Sequence, residues 1–177
     1  MSQIKRLLLL PLSLLVTCLA AGPLSAQSQQ VSTTFVNADG KPIGTAMLKQ
    51  TPSGVLIDVN VSGLPPGAHA LHIHETGKCD APDFKSAGDH YNPTGAKHGF
   101  VTGREHHAGD MPNQFVQGDG VLQAQVLNPQ VTLYTGKATL TDADGSALII
   151  HAGADDYASQ PAGEAGNRLA CAMIRPG

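Results

Sequence analysis

Apolar residues fall in short runs along the chain, and clusters of Gly, Pro, Asp or Asn close most of them. Residues 31–37 are rich in β-branched side chains and end at Ala38-Asp39-Gly40, a turn signal. Residues 43–50 follow and stop at Thr51-Pro52-Ser53-Gly54. Residues 55–61 alternate apolar and polar in their second half, the period of a half-buried strand. Gly63-Leu64-Pro65-Pro66-Gly67 separates them from a run at 68–75. Later runs lie at 113–117, 121–126, 131–134, 137–141, 146–151 and 168–174, with turn signals at Gly118-Asp119-Gly120 and Asp142-Ala143-Asp144-Gly145. Helical spacing is almost absent. The pattern predicts an all-β chain, a sandwich or flattened barrel of about eight antiparallel strands.

Two segments, 76–112 and 152–167, carry no strand pattern. Connections longer than about 12–15 residues in a compact domain are usually functional or disordered. These two hold or adjoin nearly all the histidines, which favours function. The chain opens differently. Lys5 and Arg6 precede an apolar run from Leu7 to Ala21, broken by Pro11 and Ser13, and small residues follow to Ala26. That is the layout of a secretory signal, and the run is too short for a span of about 20 apolar residues. We expect cleavage after Ala26, with 27–177 as one mature domain. Leu15-Val16-Thr17-Cys18 partly matches a lipidation box, with an atypical Thr before the Cys. Once Cys18 leaves, Cys79 and Cys171 remain, and an even pair in an exported chain reads as one disulfide.

Charged residues make up only 14% of the chain and the formal charge is −3. Removing Lys5 and Arg6 leaves nine basic against 14 acidic side chains, a net −5 for the mature domain. No basic stripe exists to grip nucleic acid. The absence of Trp and 4% aromatics argue against a stacking platform for bases or sugars. Eight His beside three Cys point instead to metal. His72-Ile73-His74 sits in a strand run, so both imidazoles share one face. His90, His98, His107 and Asp110 fall in the first long segment. Three imidazoles and a carboxylate form a closed four-ligand set that suits tetrahedral Zn²⁺. His151 ends an apolar run and is placed to reach back to His72 and His74, and such imidazole sets also suit copper.

Six blocks in order make the chain resemble the copper–zinc superoxide dismutase family in its bacterial exported form. They are Gly67-Ala68-His69-Ala70-Leu71-His72-Ile73-His74-Glu75, Ser86-Ala87-Gly88-Asp89-His90-Tyr91-Asn92-Pro93, Lys97-His98-Gly99, His107-Ala108-Gly109-Asp110, His151 with Ala154-Asp155-Asp156, and Gly166-Asn167-Arg168-Leu169-Ala170-Cys171. The resemblance implies a Greek-key β-sandwich and a periplasmic or otherwise exported location. It implies copper at His72, His74, His90 and His151, and zinc at His90, His98, His107 and Asp110, with His90 bridging the two. By the same resemblance Asp155 links a copper ligand to a zinc ligand, Arg168 holds the anion beside the copper, and Cys79 pairs with Cys171. His69 corresponds to a hydrogen-bonded core histidine, whereas His106 matches no ligand and is expected to be exposed.

The implied reaction turns two superoxide anions and two protons into dioxygen and hydrogen peroxide, with His90 and Arg168 as the catalytic groups. The implied partner is this small-molecule substrate, with no nucleic acid and no stable membrane partner. Bacterial members of the family do not share one interface, so the resemblance allows a homodimer without requiring one. A competing expectation is a non-catalytic exported copper-binding or copper-delivery domain on the same fold, which would lack some ligands or Arg168. Segment 152–167 has no Lys or Arg, so Lys78 and Lys85 are the candidates for auxiliary positive charge.

Overall fold

The computed structural model describes residues 29–175, so the expected export signal and Cys18 lie outside the described residues. Nine strands are present among the described residues: β1 Gln30–Asn37, β2 Pro42–Thr51, β3 Gly54–Val61, β4 Gly67–His69, β5 Leu71–His74, β6 Gln114–Val116, β7 Leu122–Asn128, β8 Ser146–His151 and β9 Arg168–Ile174. Seven pair in the order β5-β8-β9-β1-β2-β3-β7, and β4 pairs with β6. All of these strand pairs are antiparallel. β4 runs into β5, and β6 runs through a turn closed by Gln117 N donating to Val121 O into β7. The small pair therefore joins the two ends of the large sheet and curls it toward a barrel. Neighbours β1 and β9, and β3 and β7, are far apart in sequence, the crossover pattern of a Greek key.

The run at 68–75, which the sequence pattern predicts as one strand, divides at Ala70 into β4 and β5. Ala70 N donates to Gly153 O (2.8 Å), and Ala70 O accepts from His151 N (2.9 Å). The chain changes pairing partner there, from β6 to β8. The runs at 131–134 and 137–141 form no named strand; an isolated Thr132–Thr139 bridge and three backbone hydrogen bonds, Thr132 N to Ala138 O, Leu140 N to Thr132 O and Thr141 N to Leu133 O, join them. Their apolar side chains Val131, Leu133 and Leu140 nonetheless fill the main core. Periodicity reported burial there and not membership of a sheet.

The alternation in β3 sends Val55, Ile57, Val59 and Val61 inward. Each such aliphatic side chain contributes about 1.5–3 kcal/mol on burial. β8 departs from one-sided alternation, because all six of its residues are buried. Leu148 and Ile150 face the main core, while Ala147 and Ile149 face outward under Phe84 and Ala87 of the first long segment. That segment, held to β9 by the Cys79–Cys171 disulfide with Cα atoms 5.7 Å apart, roofs the outer face of the sheet. The same roof covers β5, whose Leu71 and Ile73 join the core while His72 and His74 point the other way. Apart from a short turn at Lys85–Ala87, neither long segment has regular structure, as the sequence predicts.

Candidate metal centre

His72 and His74 on β5 and His151 at the end of β8 meet His90 of the first long segment on the roofed face. One ligand atom from each of these four residues lies within 4.8 Å of the others. A second set, His90, His98, His107 and Asp110, meets the same criterion. All seven residues are buried, and His90 belongs to both sets. Its Nδ1 stands 2.9 Å from Asp110 Oδ1 and 3.4 Å from His107 Nδ1, on one side of the ring. On the other side its ring lies 4.0 Å, centroid to centroid, from His72.

Backbone geometry brings the second set together. Gly109 lies so close to β5 that a Cβ there would sit 2.2 Å from Ile73 O. Asp110 N donates to His107 O (3.1 Å), closing the tight turn expected between those two ligands. Asp110 Oδ2 accepts from Gly99 N (2.9 Å) and His107 N (3.2 Å). That leaves Oδ1 facing His90 and His98.

Outward-facing nitrogens are engaged. His74 Nδ1 lies 2.9 Å from Gly88 O and His151 Nδ1 lies 3.2 Å from Gly166 O. His72 Nε2 and His98 Nε2 lie 2.8 and 2.9 Å from the two oxygens of Asp155. A ring N–H given to an outer acceptor leaves the other nitrogen's lone pair aimed inward, the tautomer a metal needs. His72 Nδ1 and His90 Nε2 are the buried side-chain nitrogen or oxygen atoms without a hydrogen-bond partner among the described residues. Each such atom costs about 1–3 kcal/mol unless something accepts its electrons. A cation between these nitrogens meets that requirement, so the donors present fit a metal.

Charge states agree. Burial lowers His72 to about 4, repulsion from His90 adds to this, and the Asp155 bond opposes it. Burial likewise lowers His151 to about 3 and holds His74 well below its ordinary value. Burial alone would raise the carboxyls of Asp110 and Asp155. Hydrogen bonds outweigh it, from His90 and Gly99 in the first case and from His72 and His98 in the second, and both stay below the ordinary range. Neutral imidazoles and ionised carboxylates at neutral pH are the ligand forms of these groups.

Arg168, on β9, lines the same open cavity as His74, His90 and His151, with a volume of about 440 Å³. Its Nη1 donates to Phe84 O (2.6 Å) and its Nη2 to Gly88 O (2.7 Å). Gly88 O thus receives both Arg168 and His74, which couples the cation to a ligand ring. His69 is buried between His151 O and Pro65 O, each 2.8 Å away, as expected of a core histidine. His106 differs from expectation. It is half-buried, with its ring edge-on to Phe100, because the stretch after His98 folds back over it. Sequence reasoning missed Asn113. It exchanges two hydrogen bonds with the backbone of Asp155 (2.8 and 2.9 Å), and a lone Asn beside a Pro carries no signal for that.

The chain matches the copper/zinc superoxide dismutase (SODC) family over residues 42–174. A superoxide dismutase [Cu-Zn] of Aquifex aeolicus is 51% identical over 152 residues, spanning 85% of this chain and 89% of the relative. The superoxide dismutase [Cu-Zn] of Caulobacter vibrioides is 43% identical, spanning 81% of this chain and 85% of that one. The crystal structure of a superoxide-dismutase-like protein from Bacillus subtilis superposes with a TM-score of 0.78 at 39% identity, covering 81% of this chain and 97% of its own. The chain belongs to the copper/zinc superoxide dismutase family.

Proposed function

We propose that, within a copper–zinc superoxide dismutase, His72, His74, His90 and His151 hold the copper and His90, His98, His107 and Asp110 hold the zinc. The enzyme dismutes superoxide to dioxygen and hydrogen peroxide, and its cofactors are copper and zinc ions. The observation that carries the assignment is His90, which belongs to both buried donor sets, with Nδ1 turned to Asp110 and His107 and Nε2 left without a hydrogen-bond partner among the described residues. The all-nitrogen set suits a redox-cycling copper, and the set with a carboxylate suits zinc, which has no redox chemistry. Copper supplies alternate one-electron oxidation and reduction of successive superoxide anions.

The chain's own residues do the rest. Arg168 is permanently charged and its fork is fixed by two carbonyls, so it holds a small anion in the cavity beside His74, His90 and His151. His90 Nε2 can hold a proton for delivery to the reduced oxygen species when that nitrogen is not engaged. Asp155 keeps His72 and His98 in their ligating tautomers. Presence of every ligand position together with Arg168 favours catalysis over a copper-delivery role. The export reading extends this proposal: residues 1–26 are a signal removed on passage to the periplasm, in keeping with the Cys79–Cys171 disulfide.

Elemental analysis of the purified mature protein, with N-terminal sequencing and superoxide consumption, tests all of this. The expected result is equimolar copper and zinc, a chain starting at Gln27, and activity lost on chelation. Asp110→Ala should lose zinc and keep copper. A protein that consumes superoxide with neither metal would overturn the proposal.

A further inference from the structure

The zinc reading leaves one ligand weakly explained. His98 is fully buried and its ring is gripped at both nitrogens, yet its backbone lies outside every named strand. A buried backbone donor and acceptor need partners. Gln160, from the other long segment, serves both with its side chain, and His98 O also accepts from Thr102 Oγ1 (2.8 Å). Gln160 Oε1 accepts from His98 N (2.9 Å), and Gln160 Nε2 donates to His98 O (2.9 Å). One primary amide thus pairs with the main chain of His98 as a neighbouring strand would.

The amide is preorganised. Asp156 Oδ1 accepts from Ala158 N and Ser159 N, both at 2.8 Å, and Gly163 N donates to Ser159 O (2.8 Å). Gln160 Nε2 also donates to Ala158 O (2.9 Å), which holds the side chain across its own turn. Tyr157 makes a second crossing beside it. Its carbonyl accepts from Val101 N (3.3 Å) and packs so closely on Gly99 that a Cβ there would lie 2.0 Å away. Segment 157–160 is therefore a strap over the backbone of 98–101.

We infer that Gln160 is a positioning residue for zinc, fixing His98 through its backbone and so controlling how firmly the zinc set is held. The inference rests on His98 being a zinc ligand. Among the described residues Gln160 makes its hydrogen bonds to backbone and to no ligand ring, so its removal leaves every donor atom in place and changes only the precision with which one is held.

The test measures zinc affinity of the intact, disulfide-bonded protein by chelator competition in Gln160→Ala and Gln160→Glu. Glu keeps the acceptor for His98 N but turns a second oxygen toward His98 O, so both variants should weaken zinc. Outer partners of ligands typically contribute about 10–100-fold in affinity, and a loss in that range is expected. Copper affinity should stay at the wild-type value, the Tm of the metal-free form should fall by a few degrees because His98 N loses its partner, and cobalt(II) placed in the zinc set should show altered visible bands. Unchanged zinc affinity and cobalt bands would overturn the inference. So would a copper affinity that falls in step with zinc affinity, which marks a merely structural residue. Asp110→Ala separates the two levels: zinc retained there refutes the zinc set itself, independently of Gln160.

Discussion

At the scale of single residues, Asp155 does what neither donor set could do alone. Its two oxygens take one N–H from His72 and one from His98, and Oδ1 also accepts from Tyr157 N. Asp155→Asn keeps the shape but replaces one acceptor oxygen with a donor NH₂, which cannot face a ring N–H. One ring must then turn or change tautomer. Retention of metal by that ring's set should fall about 10–100-fold, as is typical for such outer partners. Elemental analysis after graded chelation checks this, and full retention would show the tautomer to be set elsewhere. Gly163 offers a test that leaves every polar group in place. A Cβ there would lie 1.9 Å from Asp155 Oδ1 and 2.7 Å from His98 Nε2, and the backbone has φ +71°. Gly163→Ala should therefore reproduce the metal loss of Asp155→Asn. The ligands themselves were legible in the sequence because imidazole and carboxylate spacings are chemically distinctive. Gly163, Asn113 and Gln160 were not, since an amide or a missing Cβ takes its meaning only from what folding brings beside it.

At the scale of elements, the site depends on a segment that forms no strand of its own and meets β5 through an isolated His74–His90 bridge. Residues 79–90 carry the disulfide at one end and His90 at the other, with Phe84 buried between them against Ile149 and Cys171. Both carbonyls that fix Arg168 belong to this stretch. Cys79→Ser with Cys171→Ser should lower stability by about 2–5 kcal/mol, the usual cost of removing a native disulfide from a small secreted domain. Activity should fall further than the unfolded fraction explains, because Arg168 loses its fixed anchors. Denaturant titration beside superoxide consumption separates the two effects; activity that simply tracks the folded fraction would show the segment stays in place without its tether. Legibility at this scale was uneven. The unpatterned segments stood out by length and polarity. The break at Ala70 did not, because the residue keeps its strand period while its backbone changes partner from one sheet to the other.

At the scale of the whole molecule, the difficulty is charge. The substrate is an anion and the chain carries a formal −3. Glu75 and Asp89 line the cavity itself, together with Arg168. Attraction must therefore be local, since charges beyond a screening length of about 8–10 Å are damped at physiological salt. The two lysine candidates separate on this point. Lys85 lines a second cavity that also contains Arg168, whereas Lys78 is exposed and borders neither. Lys85 is partnered by Asp83 at 3.2 Å, but both side chains are exposed, 83% and 55%, so the pairing is weak and does not fix Lys85 away from Arg168 in the cavity they share. Lys85→Ser should lower the rate constant for superoxide and flatten its decline with added salt, and Lys78→Ser should leave the slope at the wild-type value. Neither exposed substitution should move the Tm. Rates measured across ionic strength for the three proteins decide it: equal slopes would remove Lys85 and leave Arg168 and the bound cations as the whole of the attraction.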